Sequence, residues 1–144
     1  MLPEDKLALF RVAQWTLDNK RKLVKTVREL AGTEENYLIV IREIDRVEAQ
    51  LRRARFLHAE ATLTLVDWLT TLEYFRWLCA YCEAKPFQVM SHFTLLPRGG
   101  TTPDNCVPAC YSCGRYRKTE NVRVQEYLDS VKCRLESTQL LKND

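Results

Sequence analysis

An α+β fold, mostly α, is what this sequence predicts, with a helical hairpin or bundle over residues 1–78, a short turn-rich segment over 79–118 and a closing helix over 119–144. Three observations carry that expectation. No Gly or Pro stands between Gly32 and Lys85, and apolar residues recur there at helical spacing. Beyond Cys79 the chain breaks into short segments punctuated by Pro86, Pro97, Gly99-Gly100, Pro103 and Pro108. A last stretch, with Val124, Tyr127 or Leu128, Val131 and Leu135 inward, reads again as helix.

The elements follow in order. Pro3 suits a helix start, and a rough stripe of Leu7, Phe10, Ala13, Leu17, Val24, Val27 and Leu30 predicts one helix from Pro3 to about Leu30. Gly32 fits its stop, and Thr33 fits an N-cap followed by Glu34 and Glu35, which favour the positive end of a helix dipole. A second helix carries Leu38, Ile41, Ile44, Val47 or Glu48, Leu51 and Ala54. A third stretch carries Leu63, Val66, Leu69, Leu72 and Phe75, with a bend near His58 left open. One unbroken helix over that span is long, so a hairpin or bundle is the simpler expectation, although such stripes also suit an intermolecular seam. Phe87 to His92 and Cys106 to Pro108 read as short strands. Thr119 to about Leu140 reads as the last helix.

Composition excludes several classes. Of 144 residues, 46% are hydrophobic and 28% charged, values ordinary for a globular chain and foreign to wholesale disorder. The opening residues Met1 to Lys6 are acidic where a secretory signal is basic and then apolar, and no apolar run approaches the roughly 20 residues of a membrane span. The expectation is a cytoplasmic protein without membrane contact. The formal net charge is +3, and its distribution says more than its size. Residues 79–118 hold five basic side chains (Lys85, Arg98, Arg115, Arg117, Lys118) against two acidic ones, Glu83 and Asp104, whereas the flanking segments nearly balance.

Cys79-Ala80-Tyr81-Cys82 and Cys110-Tyr111-Ser112-Cys113 form two CxxC pairs with 27 residues between them. A two-residue gap lets the chain fold around an ion and present two thiolates, so two pairs supply one tetrahedral shell. In a reducing compartment this pattern favours structural zinc over disulfides. Cys106 and Cys133 do not share the spacing and read as core residues.

Within the insertion, Ser91-His92 precedes Pro97-Arg98-Gly99-Gly100-Thr101. Then comes Asn105-Cys106-Val107-Pro108-Ala109-Cys110, ending at Cys113-Gly114. Over about 40 residues, Cys79 to Lys118, this resembles the HNH endonuclease family, in particular its members stapled by two CxxC pairs. The resemblance implies a ββα-metal module in which a strand ribbon and a helix hold a divalent ion against a scissile phosphate. His92 matches the general base and Asn105 the central asparagine that orients it. A near-neutral imidazole can take a proton from water, and Mg²⁺ or Mn²⁺ can neutralise charge on the phosphate. The residue before the histidine, usually a ligating Asp or His, is here Ser91. The residue after the last cysteine, usually Asn or His, is here Gly114. Both divalent-metal positions are thus eroded while the base position is kept, and a substitute ligand such as Asp104, Glu120 or a partner's residue is required for catalysis.

Three functional readings follow. The first is a metal-dependent DNA endonuclease with His92 as base. The second is an inactive zinc module that binds DNA or a protein partner, with the N-terminal helices as an assembly arm joining copies of the chain or a larger complex. The third is a purely structural subunit. Arg98, Arg115, Arg117 and Lys118 are the expected phosphate contacts. Tyr111 and Tyr116 are expected in the core rather than stacked on bases. His58 is expected on a helix surface, and Lys20-Arg21-Lys22, Lys25 and Arg28 on a solvated helix face.

Overall fold

The computed structural model describes residues 2–19, 24–115 and 121–143. Its order is α1 (Pro3–Asp18), α2 (Val24–Ala31), α3 (Glu34–Phe56), α4 (Leu65–Tyr74), β1 (Val89–His92), β2 (Cys106–Ala109), α5 (Tyr111–Arg115) and α6 (Val122–Asn143). The class is α+β and mostly α, with one antiparallel pair of strands. No helix among the described residues is long and apolar enough to cross a membrane.

Local chemistry sets the helix ends. Gly32 follows α2 at φ +82°, a left-handed conformation that glycine adopts without penalty. Thr33 then caps α3, its hydroxyl accepting from the Asn36 amide at 3.1 Å, with Glu34 and Glu35 in the first turn and Arg53 and Arg55 in the last. After α3 the chain bends at His58, which is exposed and held at φ +58°. Thr64 and Asp67 close a reciprocal capping box that starts α4.

The predicted first helix is two helices, α1 and α2, packed against each other, with α1 also against α4. Its inward face differs from the predicted stripe. Ala8, Leu9, Val12 and Ala13 are buried, whereas Leu7, Leu17 and Val24 are exposed. The segment carries more apolar residues than one stripe can hold, so packing partners rather than period choose the face. Leu38 is likewise exposed on α3, where Tyr37, Val40, Ile44, Val47 and Ala54 turn inward.

The largest core cluster gathers Leu9, Val12, Val27, Val40, Ile44, Leu63, Trp68, Leu69 and Leu72, and it also takes in Met90 and Cys106. At its centre Trp68 is fully buried; its indole N–H donates to Glu43 Oε1 at 3.0 Å. Arg46 pairs with the same Glu43 oxygen at 2.8 Å, donates to the Gln88 carbonyl at 2.9 Å and lies over the Phe87 ring. The buried carboxylate is therefore paired and hydrogen-bonded, as burial of charge requires. This network ties α3 and α4 to the strand that follows.

A second cluster joins Phe75, Ala80 and Val107 to Val124, Tyr127, Leu128 and Val131 of α6. Asn121 caps α6, accepting from the Val124 amide at 3.1 Å, so the helix begins just beyond the predicted Thr119, which lies outside the described residues. Past Val131 the helix outruns the body. Leu135, expected inward, is 41% exposed, and Cys133, expected in the core, is exposed as well. Cys106 is buried as expected.

Candidate metal centre and adjoining cleft

The two strands pair in the register Val89↔Ala109, Met90↔Pro108, Ser91↔Val107 and His92↔Cys106. That pairing sets the second CxxC beside the first. The Ala80 amide donates to the Pro108 carbonyl and the Cys79 amide to the Lys85 carbonyl, each at 2.8 Å, which anchors the first pair against β2. The second pair opens α5, where the Tyr111 amide donates to Gln88 Oε1 at 3.0 Å. Cys79, Cys82, Cys110 and Cys113 consequently bring their sulfur atoms within 4.8 Å of one another. Zn–S bonds of about 2.3 Å imply sulfur–sulfur edges of about 3.8 Å, so the cluster fits a structural metal such as zinc.

The surroundings suit thiolates. Backbone amides of Ala84 and Lys85 lower the Cys82 thiol to about 7. The Cys113 amide, 3.4 Å from Cys110 Sγ, lowers Cys110. Burial and the neighbouring thiols push Cys113 up to about 12. As free thiols the four must share protons; a divalent cation replaces those protons and removes the mutual repulsion. From α6, Asn121 Nδ2 donates to the Tyr81 carbonyl at 3.3 Å and Arg123 pairs with Glu83, bracing the first CxxC turn.

Beside the cluster runs a cleft of about 710 Å³ lined by Arg53, Ser91, His92, Leu95, Tyr111, Ser112, Gly114 and Arg115, with Val89 and Met90 in its wall. The structure thus brings together Ser91, His92, Gly114 and Arg115 of the sequence-derived set. No carboxylate lines this cleft among the described residues. Arg98 and Asn105 instead line a second cleft of about 540 Å³, with Asp104, His58, Glu60, Asp129 and Lys132. Asp104, a candidate substitute metal ligand, is therefore not among the residues of the His92 cleft. Arg117, Lys118 and Tyr116, together with Glu120 and Lys20-Arg21-Lys22, lie outside the described residues.

His92 is 5% exposed, and its Nε2 lies 2.9 Å from Thr101 Oγ1. That hydroxyl donates its own hydrogen to the Gln50 carbonyl at 3.1 Å. With its own hydrogen on Gln50, the hydroxyl accepts from the ring, which places a ring proton on Nε2. Asn105 works on the loop. Its Nδ2 donates to the Thr94 and Gly100 carbonyls at 2.9 and 2.8 Å, and its Oδ1 accepts from the Thr94 amide at 2.7 Å. Its backbone carbonyl accepts from the Phe93 amide at 2.8 Å, next to His92. The Gly99-Gly100 turn is needed for these contacts. A Cβ at Gly99 meets the Thr94 carbonyl at 2.5 Å and Asn105 Nδ2 at 2.6 Å, and one at Gly100 meets the Glu60 carbonyl at 2.6 Å.

Two cleft residues carry no motif in the sequence. Arg53 arrives from the last turn of α3, and sequence reasoning missed it; the basic cluster Arg52-Arg53-Arg55 is the signal that could have pointed to it. Tyr111, expected in the core, is 64% exposed on the cleft wall because α5 turns its first residue away from the cysteine cluster. No protein-family model matches this chain, and no curated protein or solved structure matches it.

Proposed function

We propose that this chain is a zinc-stapled, HNH-like module that binds nucleic acid, with a backbone phosphate seated in the His92 cleft. The observation that carries the reading is the lining of that cleft. Two guanidiniums, Arg53 and Arg115, face it together with His92, Ser91 and Ser112, and no described carboxylate offsets them. Guanidiniums bind phosphate oxygens through paired, charge-assisted hydrogen bonds, whereas a divalent cation needs anionic oxygen. The strand, strand, helix order of β1, β2 and α5 around four clustered cysteines supports the HNH-like part of the reading. The zinc supplies a rigid staple between the two CxxC turns and takes no part in phosphate chemistry.

Anisotropy titrations with labelled DNA at several salt concentrations test the reading. Wild type binds with affinity that falls steeply as salt rises, and Arg53→Gln with Arg115→Gln weakens binding and flattens that dependence, since each lost phosphate contact removes counterion release. Unchanged affinity and slope in the double variant, with zinc retained, defeat the proposal.

A second reading, hydrolysis by the same cleft, draws support from the place of His92 in the cleft lining beside Ser91 and Gly114. Plasmid nicking in Mg²⁺ or Mn²⁺ that disappears in His92→Ala establishes it. Absence of nicking under both metals leaves binding as the function.

A further inference from the structure

The composition of the cleft wall says which form of nucleic acid fits. Arg53 and Arg115 supply two cationic forks, and Tyr111 and Leu95 stand at 64% and 62% exposure in the same lining. An exposed aromatic ring and an aliphatic side chain beside guanidiniums make up the pairing that a stacking platform uses. A duplex shows its phosphates outward and keeps its base faces stacked within, so it cannot give one small cleft a phosphate and a base face at once. An unpaired strand can, because each of its bases can rotate out onto the ring while the adjoining phosphate meets the guanidiniums. The volume of about 710 Å³ falls in the range that takes a ligand of a few nucleotide units.

Resting on the nucleic-acid reading above, we propose that the His92 cleft is a single-strand site in which Tyr111 stacks on an unpaired base while Arg53 and Arg115 hold its phosphate. Tyr111 sits beside Cys110 but its ring lines the cleft rather than the core, so it is replaceable without loss of packing. The single strand is preferred over the duplex, and the preference resides in one ring.

The test uses the full, zinc-loaded chain with a labelled oligothymidylate and with the same strand annealed to its complement. The single strand binds about tenfold tighter than the duplex, and Tyr111→Leu removes about tenfold of single-strand affinity while leaving the duplex unchanged. Tyr111→Phe keeps wild-type behaviour, since the ring and not the hydroxyl stacks. Photocrosslinking of a 5-iodouracil strand to the unmodified chain, read by mass spectrometry, places the crosslink on Tyr111 and does not depend on any variant folding. Equal affinity for both forms, no effect of Tyr111→Leu with zinc intact, or crosslinks elsewhere overturn the single-strand site and leave nucleic-acid binding standing. Failure to bind either form overturns both.

Discussion

At the scale of single residues, burial decides what a cysteine can do. Cys106 is 1% exposed beside Asp104, and burial pushes its thiol from 9.0 up to about 12. The folded chain thus holds this proton more tightly than the unfolded chain. The linked stability is complete below pH 9.0 and is lost as pH rises toward about 12. Denaturant melts along an alkaline series should show a shallower decline for Cys106→Val than for wild type; parallel declines reject the assignment. Ser91 and Gly114 invite a different substitution. A Cβ at Gly114 meets only Val89 Cγ2 at 3.3 Å and Ala109 Cβ at 3.7 Å, so a side chain fits with a small shift of Val89. Ser91→Asp with Gly114→Asn should give the cleft a Mn²⁺ site visible by calorimetry and raise metal-dependent nicking, and adding His92→Ala should remove the nicking but keep the ion. A double variant that binds no Mn²⁺ shows the two positions do not face a common point. The four cysteines were legible because their chemistry is written in spacing. Arg53 was not, because only the approach of α3 to the strands brings it to the cleft.

At the scale of elements, the cysteine cluster joins short pieces that also lean on the two cores through Met90, Cys106 and Val107. Each strand is four residues long and α5 is five. A metal ion held by the cluster would add folding free energy to this region. Chelation should lower the melting temperature by about 10 °C or more, as expected for a loss of roughly 3 kcal/mol. Cys79→Ser, at a buried position, should cost more than Cys82→Ser at an exposed one. A melting curve indifferent to chelators, with no zinc found by elemental analysis, excludes the staple. Element boundaries were legible where a side chain or a glycine enforces them, as at Gly32, Thr33 and the prolines past Cys79. The helix faces were not. Leu7 and Leu17 compete with Leu9 and Val12 for the inside of α1, and α2 and α4 settle the contest. Leu135 continues the period of α6, yet the body it was expected to cover ends near Val131.

At the scale of the whole molecule, the cysteine segment and the helices are bound through one residue as much as through the shared core. Thr101 is fully buried. Its carbonyl accepts from the Thr62 and Leu63 amides at 3.0 Å each, its amide donates to the Glu60 carbonyl at 2.8 Å, and its hydroxyl meets Gln50 and His92. No periodicity or motif announces this, because each partner lies in a different stretch of the chain. The arrangement fixes a clock. An amide proton exchanges with solvent only when its bond opens, and the Thr101 amide opens only if the chain from Glu60 to Leu63 parts from the Gly-Gly loop while α3 lets go of the hydroxyl. In deuterated water, then, Thr101 and Leu63 should be among the last protons to leave, at the pace of complete unfolding, while amides past Val131 on α6 vanish early. Early loss at Thr101 would mean that the imidazole of His92 rides on a part of the molecule that breathes.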